Sequence, residues 1–347
     1  MKKKEVLFNK KGQDILKKQL VAEPFERITV SFYKYFHCDQ PQILRDNLYR
    51  EWNKIKVFGR IYVATEGINA QLSVPENHWN DFRASLSRDE NLAHVPLKKA
   101  IQDGKSFYKL TIKVRQELVS YGLPEKSYSM ERVGNHLSAE EYNTALENPK
   151  TLIVDMRNYY ESEIGRFENA IIPDVETSKE LLPEVEKILT GHEEDKVLLY
   201  CTGGIRCEKA SAYLIQQGFQ DVNQLRGGII QYAHDIKEKG IDSKFIGKNF
   251  VFDGRLGERV TDDVLAHCHI CVSSCDVHKD CANDACHILF IQCESCTENL
   301  SGCCSEECQA FAALPIEEQK FRRKDPNMAV SNTFFDSRIK PKLNIPK

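Results

Sequence analysis

An apolar strand, a tight loop and a helix follow one another between residues 197 and 215, and this succession constrains the fold more than any other stretch. Residues 197–200 are apolar throughout, as is typical of a buried parallel strand. The loop of residues 201–206 follows at once, and beyond it apolar residues recur at helical spacing. A cysteine, Cys201, is therefore predicted at the carboxyl end of a parallel strand.

This loop is suited to hold an anion. Backbone N–H groups of a tight loop and of the first helical turn have no partner within the helix, and Arg206 adds a fixed positive charge. We predict that Arg206 and these N–H groups lower the pKa of Cys201. The Cys201 thiol, exposed in the loop, then acts as the nucleophile, with Arg206 as its catalytic partner. The alternative is a buried structural cysteine beside a turn. Four residues supply the backbone of the loop: Thr202, Gly203, Gly204 and Ile205.

The residues Cys-Thr-Gly-Gly-Ile-Arg resemble the active-site loop of the rhodanese superfamily, and the resemblance extends from about residue 130 to 245. It includes a strand that ends in Asp155 and Arg157, in the place of the family's Asp-x-Arg. The resemblance implies an α/β domain with a parallel sheet in which these two residues brace the active loop. Six residues from cysteine to arginine also imply a loop sized for a persulfide sulfur and not for phosphate.

Residues 26–125 alternate between strand and helix in the order βαββαβ, which predicts a ferredoxin-like domain with two helices on one face of an antiparallel sheet. Its last strand is expected at residues 107–114. Such a domain is either an acylphosphatase-like enzyme or a binding platform, and no glycine-rich phosphate loop follows the first strand.

Cations and aromatic rings alternate along the predicted sheet edge and loops of this domain. That mixture suits single-stranded RNA, and the alternative is an ordinary polar sheet face in water. The residues concerned are Lys34, His37, Lys54, Lys56, Arg60, Lys98, Lys99, Lys109, Lys113 and Arg115, with Tyr33, Tyr35, Phe36 and Tyr62.

Residues 250–315 form a cysteine-rich segment that holds ten of the thirteen cysteines of the chain between positions 268 and 308. The segment has too few large apolar residues to fold around a hydrophobic core alone. This favours metal ions that cross-link its cysteines. We predict one zinc site from two Cys-x-x-Cys pairs, Cys268 with Cys271 and Cys293 with Cys296.

A second zinc site is expected from a subset of the other six cysteines of this segment. Disulfides and an iron–sulfur cluster are the competing interpretations. The candidates are Cys275, Cys281, Cys286, Cys303, Cys304 and Cys308, of which Cys275, Cys281, Cys303 and Cys308 are taken as the ligands.

The two ends of the chain are basic, with an arm at residues 1–25 and a tail at residues 316–347. The formal net charge is nevertheless −3, so any nucleic acid must be met by local patches. No apolar run reaches about 18 residues and no secretory signal is recognisable, so we expect a cytoplasmic protein without a membrane partner.

The order of these parts is similar, from about residue 25 to 315, to the bacterial tRNA uridine hydroxylases of the TrhO family. The resemblance implies 5-hydroxylation of the wobble uridine in the tRNA anticodon region, with molecular oxygen as co-substrate, Cys201 as the active cysteine and no DNA partner. The residues alone indicate only a thiolate or persulfide on Cys201, which leaves a rhodanese-type sulfurtransferase acting on thiosulfate or on a protein or tRNA acceptor as the alternative.

Overall fold

The computed structural model describes residues 7–124, 127–175, 177–286 and 288–324. Residues 1–6 of the predicted basic arm and residues 325–347 of the predicted basic tail lie outside this part of the chain. The chain divides into two compact units. The first comprises residues 1–151, 192–241 and 252–255, and the second comprises residues 152–191, 242–251 and 256–347.

Helices and strands alternate along most of the described chain. The helices are α1 (Gln13–Val21), α2 (Pro41–Lys54), α3 (Trp79–Ser87), α4 (Ala139–Leu146), α5 (Tyr159–Glu163), α6 (Ser178–Leu189), α7 (Ile205–Gln216), α8 (Gly228–Lys239), α9 (Glu294–Asn299), α10 (Glu306–Ala312) and α11 (Ile316–Arg322). The strands are β1 (Arg27–Tyr35), β2 (Phe58–Ala64), β3 (Gly67–Pro75), β4 (Lys98–Lys99), β5 (Leu110–Val114), β6 (Asn135–Leu137), β7 (Leu152–Asp155), β8 (Gly165–Phe167), β9 (Lys196–Tyr200), β10 (Asp221–Leu225), β11 (Phe245–Asn249), β12 (Glu258–Arg259), β13 (His278–Asp280) and β14 (Leu289–Ile291).

The first unit opens with a five-stranded sheet in the order β4-β1-β3-β2-β5. Strands β1, β2 and β3 pair antiparallel, and β4 adds to the free edge of β1. The core contains Trp52 of α2 and Phe82 of α3, whose ring centroids lie 5.6 Å apart. This arrangement confirms the predicted ferredoxin-like domain.

The strand predicted at residues 107–114 forms as β5, but it does not take the fourth place of the ferredoxin-like order. The fourth place of the ferredoxin-like order is taken by the two lysines of β4, which pair with Val30 and Ser31. Strand β5 lies at the opposite edge, where it runs parallel to β2 with Gly59 opposite Leu110. Two lysines carry no apolar alternation, whereas Leu110 and Ile112 do, so the sequence pattern pointed to β5 alone.

A parallel sheet in the order β6-β10-β9 completes the first unit, and β10 pairs in parallel with both neighbours. Helix α4 begins at a capping box in which Ser138 and Glu141 bond each other's backbone N–H groups. The carboxyl end of β9 leads directly into the loop of residues 201–206 and then into α7. The predicted central α/β domain with a parallel sheet is confirmed.

The second unit contains the antiparallel sheet β12-β11-β8 and the hairpin β13-β14. Asp155, at the end of β7, and Arg157 form a fully buried ion pair, with Arg157 Nη2 2.7 Å from Asp155 Oδ2. Among the described residues, no helix combines the length and apolarity that a membrane crossing requires.

A buried lysine fixes α7 against the ferredoxin-like domain. Lys209 has no exposed surface, and its ammonium donates to Glu117 at 2.7 Å, to Glu66 at 3.3 Å and to the carbonyl of Val119 at 3.2 Å. Burial opposes the charged form, but Glu117 and Glu66 outweigh it and raise the pKa of Lys209. This network holds the helix that begins at the Cys201 loop.

We expect Lys209→Met to lower the free energy of unfolding by about 2–4 kcal/mol, because it leaves Glu66 and Glu117 without their buried cation. The measurement is urea unfolding at neutral pH. The exposed Lys237, changed in the same way, serves as the control and should shift stability by less than about 0.5 kcal/mol. Equal effects of the two substitutions would contradict an anchoring role for Lys209.

Candidate active site

The Cys201 loop bends sharply into α7, and its backbone conformation requires glycine at one position. Gly204 has φ +98°, in the left-handed region. A Cβ there would also lie 2.8 Å from the Tyr33 hydroxyl. The absence of a side chain thus lets Tyr33, on β1, approach the loop closely.

Cys201 is fully buried, so the expectation of an exposed thiol was wrong. Its Sγ accepts a hydrogen bond from the N–H of Gly204 at 3.1 Å. Burial alone would raise the pKa of this thiol. The Cys207 thiol, the Arg206 charge and the N–H groups of Cys207 and Arg206 outweigh burial and lower the pKa to about 5. Cys201 is therefore a thiolate at neutral pH.

Arg206 supplies the nearby positive charge from a buried position, with 8% of its surface exposed. Its Nη2 donates to Thr202 Oγ1 at 3.3 Å, and its guanidinium carbon lies 5.8 Å from the centroid of the Phe252 ring. Burial limits solvent screening, so this charge acts strongly on the thiolate.

The carbonyl groups of the loop are held by donors on both sides. On one side, the N–H groups of Ile229 and Ile230 at the start of α8 donate to Cys201 and Thr202 at 3.0 and 3.1 Å. Gly228 makes this approach possible, because a Cβ there would lie 2.6 Å from the Cys201 carbonyl oxygen.

On the other side, two tyrosine hydroxyls from the segment that precedes the α/β domain hold the loop. Tyr35 donates to the Ile205 carbonyl and Tyr121 to the Arg206 carbonyl, each at 3.2 Å. Sequence analysis missed the role of these tyrosines. No signal in the sequence shows which loop a distant hydroxyl will reach.

Lys98 and Tyr33 lie beside the loop and respond to its charge. Burial lowers the pKa of Lys98 to about 8, although the negative charges of Cys201 and Glu208 oppose this shift. The Lys98 ammonium lies 4.6 Å from the centroid of the Tyr33 ring. Burial and the charges of Glu208, Cys201 and Cys207 raise the pKa of Tyr33 well above its usual range, so its hydroxyl remains a proton-bearing donor.

Glu208 joins these groups, and sequence analysis missed it. Its carboxylate accepts a hydrogen bond from Tyr33 and lies 2.8 Å from Nε2 of His136. Glu208 lies in the first turn of α7, only seven residues after Cys201. An acidic residue that close to the active loop was the available signal.

A cavity of about 990 Å³ within the first unit is lined by Tyr33, Lys98 and Glu208 beside the loop, though by none of residues 201–206. This volume accommodates a nucleotide, since small-molecule sites occupy about 300–1,000 Å³. Rings, cations and a carboxylate face it, among them Tyr33, Tyr35, Lys98, His136, Glu208 and Arg226. The arrangement can stack a flat base, bind phosphate and move a proton beside a thiolate.

The cavity collects only part of the predicted RNA-binding set. The members that line it are Tyr33, Lys34, Tyr35, Phe36, His37 and Lys98. The others lie outside its lining: Lys54, Lys56, Arg60, Tyr62, Lys99, Lys109, Lys113 and Arg115. Lys98 lines the cavity whereas its neighbour Lys99 does not, and a sequence pattern of cations cannot show this difference.

Asp155 and Arg157 occupy the second unit and bond to local partners. Arg157 also donates to the Gly165 carbonyl at 2.6 Å, and Ser162 donates to Asp155 at 2.7 Å. Their expected support of the active loop stays a prediction.

Two groups of four cysteines converge in the second unit. In each group all four sulfurs lie within 4.8 Å of one another, and all thirteen cysteines of the chain carry free thiols. The first group is the predicted set of Cys268, Cys271, Cys293 and Cys296, and the second is Cys281, Cys286, Cys304 and Cys308.

The second group corrects two expected ligands, since Cys275 and Cys303 are not among its members. Cys303 lies beside Cys304 in sequence and packs in an apolar cluster with Phe290. Cys304, next to the N-cap of α10, contacts Cys308 with 3.6 Å between the sulfurs. Cys303 also contacts Cys281, but it lies outside the group of four sulfurs that are mutually close.

Both groups fit a tetrahedral metal. Four sulfurs at about 2.3 Å from a zinc ion lie about 3.8 Å apart. The sulfurs of Cys271 and Cys293 are 3.6 Å apart, and those of Cys286 and Cys304 are 3.7 Å apart. Backbone N–H groups also point at ligand sulfurs at 3.4 Å, that of Cys293 at Cys268 and that of Cys304 at Cys281.

Three family models match the chain in succession. The UPF0176 acylphosphatase like domain matches residues 27–118, the Rhodanese-like domain matches residues 138–235 and the Rhodanase C-terminal model matches residues 246–309. The succession agrees with the predicted class of fold, an α/β multidomain protein.

Curated relatives match almost the whole chain and carry the name tRNA uridine(34) hydroxylase. The protein of Leptospira interrogans is 50% identical over 344 residues, covering 99% of this chain and 93% of the relative. The proteins of Hamiltonella defensa and Yersinia pestis are each 50% identical over 320 residues, covering 92% of this chain and 90% of the relative.

We expect Arg206→Ala to raise the pKa of Cys201 by about one unit or more, because a buried positive charge beside the thiolate is lost. The measurement is the pH profile of alkylation of the Cys201 peptide, whose midpoint should lie near 5 in the native chain. The midpoint is the quantity to compare, since burial slows the reaction at every pH. The exposed Arg115, changed to alanine, should leave it in place; a profile unchanged in the Arg206 variant would mean that its charge does not act on the sulfur.

Proposed function

The chain belongs to the tRNA uridine(34) hydroxylase family, and we propose that it hydroxylates C5 of the wobble uridine in the tRNA anticodon, with molecular oxygen as co-substrate. The observation that carries the proposal is a Cys201 thiolate, with pKa about 5, beside a nucleotide-sized cavity lined by aromatic rings and cations. A tRNA substrate agrees with a cytoplasmic location, which we include in the proposal.

The cavity offers each part of a nucleotide a suitable contact. The rings of Tyr33, Tyr35 and Phe36 can stack on an unstacked base, as single-stranded RNA recognition requires. Lys34 and Arg226 can bind phosphate groups. Because Cys201 has no exposed surface, the uridine reaches the thiolate only when the side chains around the loop move.

Cys201 acts in this proposal by adding to C6 of the uracil ring. The bond between sulfur and C6 places the electron pair of the C5–C6 double bond on C5 and the C4 carbonyl, so C5 becomes the nucleophile towards oxygen. The Lys98 ammonium, with a pKa of about 8, can stabilise the resulting enolate charge. After two-electron reduction of the oxygen adduct on C5 to a hydroxyl, with release of water, loss of the C5 proton and of Cys201 restores the uracil ring.

We also propose that the two cysteine groups each bind one structural zinc ion. The spacings between their sulfurs fit a tetrahedral site. Besides the cysteines, the short helices and strands of the segment have few large apolar side chains to pack against. In this role zinc stabilises the segment, and the hydroxylation takes place at the Cys201 loop.

The proposed activity predicts a defined product. Purified protein with oxygen and unmodified tRNA should yield 5-hydroxyuridine at position 34 and no thiolated uridine, as measured by nucleoside mass spectrometry. Use of ¹⁸O₂ should label the new hydroxyl. Lys98→Gln should lower the rate at least 10-fold, whereas Lys109→Gln, outside the cavity, should not. Thiouridine as the product would overturn the proposal in favour of sulfur transfer.

Metal analysis should find about two zinc ions per chain in protein purified without chelators. Two adjacent cysteines provide a matched pair for the second site. Cys304→Ser removes one ligand and should lose one equivalent of zinc, while Cys303→Ser should retain both. Equal losses in the two variants would show that the second site is assembled differently.

A further inference from the structure

A second cysteine stands in contact with the first in the active loop. Cys207 lies in the first turn of α7 and, like Cys201, has no exposed surface. Its thiol and its backbone N–H both donate hydrogen bonds to Cys201 Sγ.

Hydroxylation by molecular oxygen has an electron requirement that the uracil ring does not meet. One oxygen atom enters the C5–H bond, and the other must be reduced to water with two electrons and two protons. Two thiols that become a disulfide release two electrons and two protons. A pair of thiols already in contact at the reacting centre therefore matches the requirement.

We propose that Cys201 and Cys207 together act as the reductant of the reaction and end each turnover as a disulfide. This proposal rests on the proposed function. In sum, uridine, one oxygen molecule and two thiols become 5-hydroxyuridine, one water molecule and one disulfide. An external thiol reductant then returns the disulfide to two thiols by exchange.

Each step balances in atoms and electrons. The Cys201 thiolate adds to C6, and C5 attacks oxygen to give, after protonation, a C5 hydroperoxide. The Cys207 sulfur attacks the outer oxygen of this group, so that the O–O bond breaks, C5 keeps a hydroxyl and Cys207 becomes a sulfenic acid. Loss of the C5 proton expels Cys201 from C6, and the freed thiolate attacks the Cys207 sulfur, releasing water and forming the disulfide.

The surroundings of the pair suit this sequence. A sulfenic acid condenses with a neighbouring thiolate, and Cys201, with a pKa of about 5, is a thiolate when it leaves C6. The hydrogen bond between the two side chains places their sulfurs in contact, as condensation requires. The other cysteine of the first unit, Cys38, lies on the loop before α2 and provides a matched control.

The test is a single turnover of the full chain. Protein reduced under anaerobic conditions and freed of reductant is mixed with excess unmodified tRNA in air-saturated buffer. We expect one 5-hydroxyuridine per chain at most, with one Cys201–Cys207 disulfide for each product, counted by peptide mass spectrometry. Added dithiothreitol should permit many turnovers. Product without this disulfide would overturn the proposal, and this measurement does not depend on any variant.

Variants give an independent comparison. Cys207→Ser and Cys207→Ala should form at least 10-fold less product in the absence of reductant, while Cys38→Ser should match the native chain. Alkylation of Cys201 checks that the loop of each variant is intact. Native yields from the Cys207 variants without reductant would overturn the role of Cys207 alone. A native chain that makes no 5-hydroxyuridine even with excess dithiothreitol would instead overturn the proposed function.

Discussion

A buried thiolate is the constraint on which the active site depends. Removing a negative charge from water is costly, and only fixed donors and a nearby cation can offset the cost. In this chain the offset comes from the Cys207 thiol, the Arg206 guanidinium and backbone N–H groups at the start of α7, which together lower the pKa of Cys201 to about 5 despite full burial. These donors act only if the loop keeps its curvature, so the rest of the first unit has to hold the loop in shape.

The two domains of the first unit share that task. Helix α8 holds the first carbonyl groups of the loop, and Tyr35 and Tyr121 hold the last two. Lys209, one turn further along α7, ties the helix to Glu66 and Glu117. The ferredoxin-like domain therefore helps to shape the active loop. It contributes structural donors to a site whose nucleophile lies in the other domain.

The second unit contains a segment that depends on a different kind of interaction. In this cysteine-rich segment the strands are short, and two groups of four cysteines converge where few large apolar residues are available. The sulfur spacings agree with tetrahedral coordination, and backbone N–H groups already point at the ligand sulfurs. A metal bound there would couple the folding of the segment to the deprotonation of its thiols.

Local sequence determined the parts whose chemistry lies within a few residues. The Cys201 loop with its glycines and Arg206 could be read from spacing, because the backbone links these residues directly. Each Cys-x-x-Cys pair of the first group could be read in the same way. The tertiary structure decided what depends on contacts between distant residues. It buries Cys201, completes the first sheet with β4 and brings Glu208, His136, Tyr33 and Lys98 together beside the loop. It also places Cys304, and not Cys303, in the second group. The physical reason is that spacing fixes local direction only, whereas burial and convergence follow from how strand faces and helix faces pack against each other.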